Sequence, residues 1–320
     1  MSRRVLVTGS AGFLGRHLCR MLMERGETPI GLDVETDPDA PFMQVVGSVN
    51  DPQAWKTARE VDAVVHGAAL TDLWRSDPDT YDEVNRGGAV MAARYAKAHA
   101  LPLVIVSSYT VLLPNDRLDE RQVTGREEVD PDKLIGPYAK AKRRGELEAL
   151  DAYPAARVVR PSALIGPGDP GPTPPMRMLR DLVSGQLPGV MAGRINVVDV
   201  RDVAEGTLTA LDKGSDGGAY LLSGTDLSLK QFAQQVAQAA GARAPMLEVP
   251  VPLARLAARL DHWQAEQFQK PVTAPRDGVE LAALPVTFDA RFAQEKLRFT
   301  ARSLEHTIAD AVADVKARSS

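Results

Sequence analysis

A glycine-spaced turn near the start of the chain constrains the fold more than any other feature. The apolar run Arg4–Thr8 leads into glycines 9, 12 and 15, and apolar residues then recur at helical spacing. A strand, a glycine turn and a helix in this order present backbone N–H groups and a helix N-terminus to a pyrophosphate. The spacing is G-x-x-G-x-x-G. This opening therefore predicts a dinucleotide-binding unit.

Asp33 stands where such a unit holds the ribose of its dinucleotide. It follows a second apolar run, residues 28–32, and comes about 20 positions after the glycines. A carboxylate there accepts hydrogen bonds from the ribose hydroxyls, and its charge repels a 2′-phosphate. We therefore expect NAD as the cofactor and NADP as the less favoured alternative.

The composition is that of an ordinary globular enzyme. The 320 residues carry a formal net charge of -4, which argues against a nucleic-acid partner because such proteins need a basic face. No apolar run approaches the length of a bilayer span, so no membrane partner is expected. Cys19 is the only cysteine and no His/Cys cluster accompanies it, so we expect neither a disulfide nor a metal site. With no signal-peptide pattern at the start, a cytoplasmic location is expected.

The first half of the chain alternates candidate strands with candidate helices. The strands are nearly continuous apolar runs, as buried parallel strands are, at 4–8, 28–32, 42–46, 63–66, 103–107 and 157–159. This alternation predicts an α/β fold, a Rossmann-type doubly wound parallel sheet whose strand ends form the ligand crevice. We expect an NAD-binding domain at 1–165. Residues 166–320 then form mainly a smaller C-terminal substrate lobe, with segments near 195–225 returning to the main sheet. The proline- and glycine-rich stretch 166–175 is predicted to be irregular.

Tyr138 and Lys142 form a Tyr-x-x-x-Lys pair that carries acid–base chemistry. Residues four apart share one face of a helix, and an ammonium beside a phenol lowers the pKa of the phenol. Such a tyrosine exchanges a proton with an alcohol or a ketone while a nicotinamide moves the hydride. Ser107 and Ser108 end the apolar run 103–106, where a hydroxyl would point at the crevice and bond the substrate oxygen.

Taken together, these features resemble the extended short-chain dehydrogenase/reductases, the NAD-dependent epimerase/dehydratase superfamily, along nearly the whole chain. The resemblance rests on T-G-S-A-G-F-L-G at 8–15, H-G-A-A at 66–69 and R-P-S-A-L-I-G-P-G at 160–168. Asn85 resembles the structural asparagine of the family. In the C-terminal half, the segment from Asn196 through Gly224 is more similar to dihydroflavonol reductases and 3β-hydroxysteroid dehydrogenases.

The resemblance implies a role for particular residues. Tyr138 would be the catalytic acid/base, Lys142 would lower its pKa and hold the nicotinamide ribose, and Ser108 would be the third catalytic member, with Ser107 as the alternative. The positions implied to bind the cofactor are Gly9, Ala11, Gly12, Phe13, Leu14, Gly15, Asp33, Ser48, Val49, Gly67, Ala68, Ala69, Asn85, Ser107, Tyr138, Lys142, Arg160, Pro161 and Ser162. Candidate substrate contacts are Thr71, Trp74, Tyr109 and Arg194.

Three functions are compatible with the sequence alone. The first is an NAD-dependent oxidoreductase that acts on a secondary alcohol or ketone of a small-molecule substrate. The second is a nucleotide-sugar epimerase, which uses the same groups and retains its NAD. The third is a nucleotide-binding protein without catalysis, against which the intact Ser-Tyr-Lys set argues. Relatives often dimerise through two helices per subunit, so we expect a homodimer formed by residues 78–99 and 138–150.

Overall fold

The protein is described by a computed structural model over residues 2–116, 119–185, 187–268 and 272–319. The strands are β1 (Arg4–Thr8), β2 (Thr28–Asp33), β3 (Met43–Val46), β4 (Ala63–His66), β5 (Leu103–Val106), β6 (Arg121–Val123), β7 (Arg157–Pro161), β8 (Ala163–Ile165), β9 (Gly189–Met191), β10 (Arg194–Asp199), β11 (Ala219–Leu222), β12 (Thr225–Ser228), β13 (Leu247–Val249) and β14 (Val286–Phe288). The α-helices are α1 (Phe13–Glu24), α2 (Pro52–Thr57), α3 (Asp79–Tyr81), α4 (Gly88–Ala98), α5 (Gly136–Ala152), α6 (Pro174–Val183), α7 (Val200–Lys213), α8 (Leu229–Ala240), α9 (Val251–Phe268), α10 (Arg276–Ala283), α11 (Arg291–Leu297) and α12 (Leu304–Ser319).

A seven-stranded parallel sheet forms the centre of the molecule, in the order β11-β7-β5-β4-β1-β2-β3. β1 pairs in parallel with both β2 and β4, so the strand order reverses there. The predicted doubly wound sheet is confirmed. In such sheets ligands bind beyond the carboxyl ends of the strands at the point of reversal.

Helices cover both faces of this sheet, which explains why its strands are apolar throughout. On one face, Val5 and Val7 of β1 pack with Leu18 of α1 and Leu208 of α7. On the other face, Leu6 of β1 packs in a cluster that includes alanines of α4. These β1 side chains have no exposed surface. A strand buried on both sides cannot alternate polar with apolar residues, as the sequence of β1 shows.

The short sheets of the second half are separate from the main sheet, whereas α7 packs on its face. β11 occupies the edge of the main sheet, whereas β10 lies in a three-stranded sheet between β12 and β8. The stretch 166–175 is less irregular than predicted, because α6 begins within it at Pro174. Proline is compatible with the first turn of a helix, where no N–H partner is required. Within the described ranges, no helix has both the length and the apolar character that crossing a bilayer requires.

Candidate active site

The glycine turn between β1 and α1 leaves room for a ligand against bare backbone. Gly9 has a φ of +74° and donates its N–H to the Leu32 carbonyl at 2.9 Å. A Cβ on Gly15 would collide with the Gly9 carbonyl. Gly12 caps α1 without any side-chain hydrogen bond, so the first N–H groups of that helix remain available to an anion.

Asp33 lies beside this turn at the end of β2. Its carboxylate accepts a hydrogen bond from the Ala11 N–H at 2.9 Å, which fixes it at the wall of the crevice. The next two residues are Val34 and Glu35, and both line the same crevice. Neither residue can pair with a 2′-phosphate. Asp33 and Glu35 therefore give this part of the crevice a negative charge.

A cleft of about 610 Å³ runs along the carboxyl ends of the central strands. Most of the sequence-predicted cofactor, catalytic and substrate positions line it, namely Gly9, Ala11, Gly12, Phe13, Leu14, Gly15, Asp33, Ser48, Val49, Gly67, Ala68, Ala69, Thr71, Ser107, Ser108, Tyr109, Tyr138, Lys142, Pro161 and Ser162. Residues far apart in the chain thus meet in one crevice large enough for a dinucleotide and a small substrate.

Four predicted site residues lie outside the lining of the cleft. Asn85 exchanges two hydrogen bonds with the backbone of Leu70, at 2.8 and 3.0 Å, and so holds the chain next to the cleft. Trp74 packs edge-to-face on His262 with ring centroids 6.1 Å apart. Arg194 is exposed at the start of β10. The fourth residue, Arg160, is buried in an ionic cluster described below.

The predicted catalytic side chains come from β5 and from α5. Ser108 follows β5 and accepts hydrogen bonds from the Thr110 hydroxyl at 3.0 Å and from the Thr110 N–H at 3.3 Å. Tyr138 and Lys142 lie one helical turn apart on α5, each at most 9% exposed. The Lys142 ammonium donates to the Val106 carbonyl at 2.8 Å, which ties α5 to the end of β5.

The pKa of Tyr138 is shifted in the direction opposite to the one that its spacing from Lys142 predicts. Burial raises the pKa of Tyr138, and a hydrogen bond with Ser108 acts in the opposite direction without cancelling it. Burial also lowers the pKa of Lys142 to about 8, although the negative charge of Glu146 acts to raise it. The physical reason is desolvation, because a buried phenol loses the water that would stabilise its anion. The protein alone therefore holds Tyr138 protonated.

Sequence reasoning missed a buried ionic cluster directly beneath this site, which we call the Glu146 cluster (Arg143, Glu146 and Arg160). Glu146 lies one turn beyond Lys142 on α5 and its carboxylate is fully buried. Arg143 donates to it at 2.6 Å, and Arg160 of β7 pairs with both of its oxygens. The signal available in the sequence was the continued spacing of four, from Tyr138 to Lys142 to Glu146.

Apolar residues from distant segments line the substrate end of the cleft, and among them only Leu73, next to the candidate Trp74, carried a sequence signal. They are Leu73, Pro174, Pro175 and Leu281, which come from three distant segments of the chain. Their side chains make this part of the wall apolar. In the part of the chain that the structure describes, no group of three or more His, Cys, Asp or Glu side chains is arranged to hold a metal ion.

Comparisons with known proteins show the family of this chain. A model of the family described as "NAD dependent epimerase/dehydratase family" matches residues 5–223, more than half of the chain. A putative dihydroflavonol 4-reductase of Synechocystis sp. is 29% identical over 96% of this chain and 92% of its own length. A 2-alkyl-3-oxoalkanoate reductase of Stenotrophomonas maltophilia is 32% identical over 75% of this chain and 76% of its own length.

Among solved structures, the crystal structure of gox2253 is similar throughout. It superposes with a TM-score of 0.85 at 28% identity and covers 99% of each chain. The similarity therefore includes the second half of the chain, where the substrate end of the cleft is built, and is not confined to the cofactor-binding half.

Proposed function

Because the chain belongs to the NAD-dependent epimerase/dehydratase family, we propose that it is an NAD-linked oxidoreductase that interconverts a ketone and a secondary alcohol. The observation that supports this proposal is that Ser108, Tyr138 and Lys142 are all buried in the lining of one cleft, with a hydrogen bond between Ser108 and Tyr138. A protein that only bound nucleotide would have no need of a buried phenol and a buried ammonium there.

Burial keeps Tyr138 protonated, which is the state that ketone reduction requires of a general acid. The Tyr138 hydroxyl would donate its proton to the substrate oxygen, and Ser108 would donate a hydrogen bond to the same oxygen as negative charge develops. Lys142 would hold the nicotinamide ribose and keep positive charge beside the phenol once its proton has left. The nicotinamide, when bound, supplies the hydride that adds to the carbonyl carbon.

Asp33 is expected to set the preference for NAD over NADP. The substitution Asp33→Asn removes the negative charge that strengthens the hydrogen bonds donated by the ribose hydroxyls. The affinity for NADH should therefore fall by about 10- to 100-fold. The same change should reduce the ratio of the affinity for NADH to the affinity for NADPH. Titration of tryptophan fluorescence with each cofactor measures both effects. Asp39→Asn, a neutralised carboxylate on the exposed loop after β2, serves as the control. An unchanged ratio of the two affinities would show that Asp33 does not select the cofactor.

The apolar wall formed by Leu73, Pro174, Pro175 and Leu281 supports a substrate with an alkyl or ring portion next to its carbonyl group. The test is NADH oxidation by the purified protein with 2-alkyl-3-oxo acids, oxosteroids and hydroxyketones, run beside UDP-hexoses. We expect NADH consumption with at least one apolar ketone. Interconversion of UDP-hexoses by protein that retains its NAD, without net NADH turnover, would instead establish an epimerase.

We further propose a cytoplasmic homodimer formed through α4 and α5. The two helices pack side by side, and Leu147 on α5 is 40% exposed. Paired with the same helices of a second copy, they would form a four-helix bundle with a buried apolar seam. Analytical ultracentrifugation of wild type and Leu147→Glu tests this arrangement, since a charge in the seam should shift the protein towards monomer.

A further inference from the structure

Thr110 is a buried cleft residue whose hydroxyl bonds to one of the predicted catalytic side chains. It lies two residues after Ser108, is 3% exposed and lines the cleft. Its hydroxyl donates to the Ser108 hydroxyl oxygen at 3.0 Å, and its backbone N–H donates to the same oxygen at 3.3 Å. Both hydrogen-bond donors of Thr110 are therefore directed at one oxygen atom of the site.

The turn after β5 does not itself need the Thr110 hydroxyl. Residues Tyr109–Leu112 form a 3₁₀ turn, and the Ser108 side chain caps it by accepting from the Thr110 N–H. A backbone N–H is sufficient for a serine cap of this kind. Val111 and Leu112 are fully buried and hold the turn against the core. The hydroxyl of Thr110 is thus an addition to a turn that is already closed.

The two hydrogen bonds from Thr110 decide how Ser108 can use its own proton. A serine hydroxyl has one proton to donate and two lone pairs that accept. Because the donors of Thr110 occupy both lone pairs, the hydrogen bond between Ser108 and Tyr138 is donated by Ser108. Its effect agrees with this direction, since the bond acts to lower the pKa of Tyr138, as a donor to the phenolate oxygen does.

This direction leaves the proton of Tyr138 available. If Tyr138 donated to Ser108 instead, the bond would retain the proton that a general acid has to give to the substrate oxygen. A hydroxyl that accepts hydrogen bonds is also a stronger donor, because linked hydrogen bonds polarise one another. The Thr110 hydroxyl therefore both orients and strengthens the donor that faces Tyr138.

We propose that Thr110 is a positioning residue, whose hydroxyl makes Ser108 act only as a donor and so keeps the proton of Tyr138 free for the substrate. This inference rests on the proposed function, because it concerns the general acid of ketone reduction. Thr110 itself acts through Ser108 and has no part in the proton transfer.

The substitution Thr110→Val removes the hydroxyl and keeps the side-chain shape and the backbone N–H. We expect kcat for ketone reduction to fall by about tenfold, the effect of one hydrogen bond, while KM for the ketone changes little. Thr110→Ser restores a hydroxyl and should recover most of the lost rate. The matched control is Thr207→Val, because Thr207 is fully buried on α7 and donates to the Val203 carbonyl at 2.7 Å, outside the cleft lining. This control should turn over like wild type.

A double-variant cycle shows whether Thr110 acts through Ser108. In a Ser108→Ala protein the Thr110 hydroxyl has lost the oxygen to which it donates, so adding Thr110→Val should cause no further loss of kcat. A merely structural role of Thr110 would lower the rate by the same factor in both backgrounds. Such an additional loss in the Ser108→Ala background would overturn the positioning role.

The pKa of Tyr138 provides a measurement that needs no turnover. Ultraviolet difference titration of the NAD-bound protein against its Tyr138→Phe counterpart follows this phenol alone. The pKa of Tyr138 should be higher in Thr110→Val than in wild type, because Ser108 can then accept from the phenol, and Thr110→Ser should restore it. A pKa that Thr110→Val leaves unchanged would overturn the positioning role. Absence of ketone reduction by wild type would overturn the proposed function alone, and the titration would still decide the role of Thr110.

Discussion

Substituting phenylalanine for Tyr138 is expected to lower kcat for ketone reduction by about 10²- to 10⁴-fold, the usual contribution of a positioned general acid. The change removes only the hydroxyl that would give its proton to the substrate oxygen. The buried ring keeps its edge-to-face contact with Tyr81, at a centroid distance of 6.2 Å, so the fold should be preserved. Steady-state rates of NADH consumption measure the loss.

Tyr95→Phe is the matched control for this experiment. Its hydroxyl donates to the Ala58 carbonyl at 2.9 Å, and Tyr95 does not line the cleft. We expect wild-type turnover from Tyr95→Phe and unchanged NADH binding by Tyr138→Phe. Turnover by Tyr138→Phe within a few-fold of wild type would remove Tyr138 from the acid–base role.

Replacing Glu146 with glutamine is expected to destabilise the fold by about 3–5 kcal/mol, the cost of leaving a buried charge without its partner. Glu146 pairs with two buried guanidinium groups, those of Arg143 and Arg160. These side chains link α5 to β7, and Arg160 also donates to the Gly125 carbonyl at 2.7 Å. Urea unfolding followed by circular dichroism gives the difference in the free energy of unfolding.

The same substitution has an expected pH dependence. Burial acts to raise the pKa of Glu146, but the charges of Arg160 and Arg143 outweigh it and the pKa lies below its ordinary value. A carboxyl with a lowered pKa stabilises the fold above its unfolded pKa of about 4.3, and this contribution is lost as pH falls. The stability gap between wild type and Glu146→Gln should therefore be largest near neutral pH and shrink in acid.

Glu148→Gln separates the effect of burial from that of charge alone. Glu148 lies on the same helix and pairs with Arg86 at 2.8 Å, but both side chains are more than 40% exposed. Surface pairs contribute about 0–1 kcal/mol, so this control should unfold almost like wild type. If Glu146→Gln and Glu148→Gln lowered the free energy of unfolding equally, the Glu146 cluster would have no special structural role.

The cofactor half of the molecule could be predicted because its signals are local. The apolar run Arg4–Thr8, the glycines after it and Asp33 lie within one stretch of chain, and the structure keeps them together. Buried parallel strands must be apolar on both faces, so their positions were visible from composition alone. The confirmed sheet then brings Ser108 and Tyr138 to the same edge.

The substrate half could not be predicted to the same depth because its elements are short and pair over long distances. β6 and β14 have three residues each and pair across more than 160 positions of chain. Leu281 reaches the cleft only because α10 folds back on it. Arg194 was a candidate by its position near a substrate turn, but the register of β10 with β12 places it opposite Ser228, outside the cleft lining.

The most direct test is the transfer of deuterium to an apolar ketone from NADH that carries deuterium at both C4 positions. We expect the label on the carbinol carbon of the product alcohol, with labelling by Tyr138→Phe slower than by wild type by at least about 10²-fold. This expectation would be contradicted by a product alcohol that carries no label, or by equal rates of labelling in the two proteins.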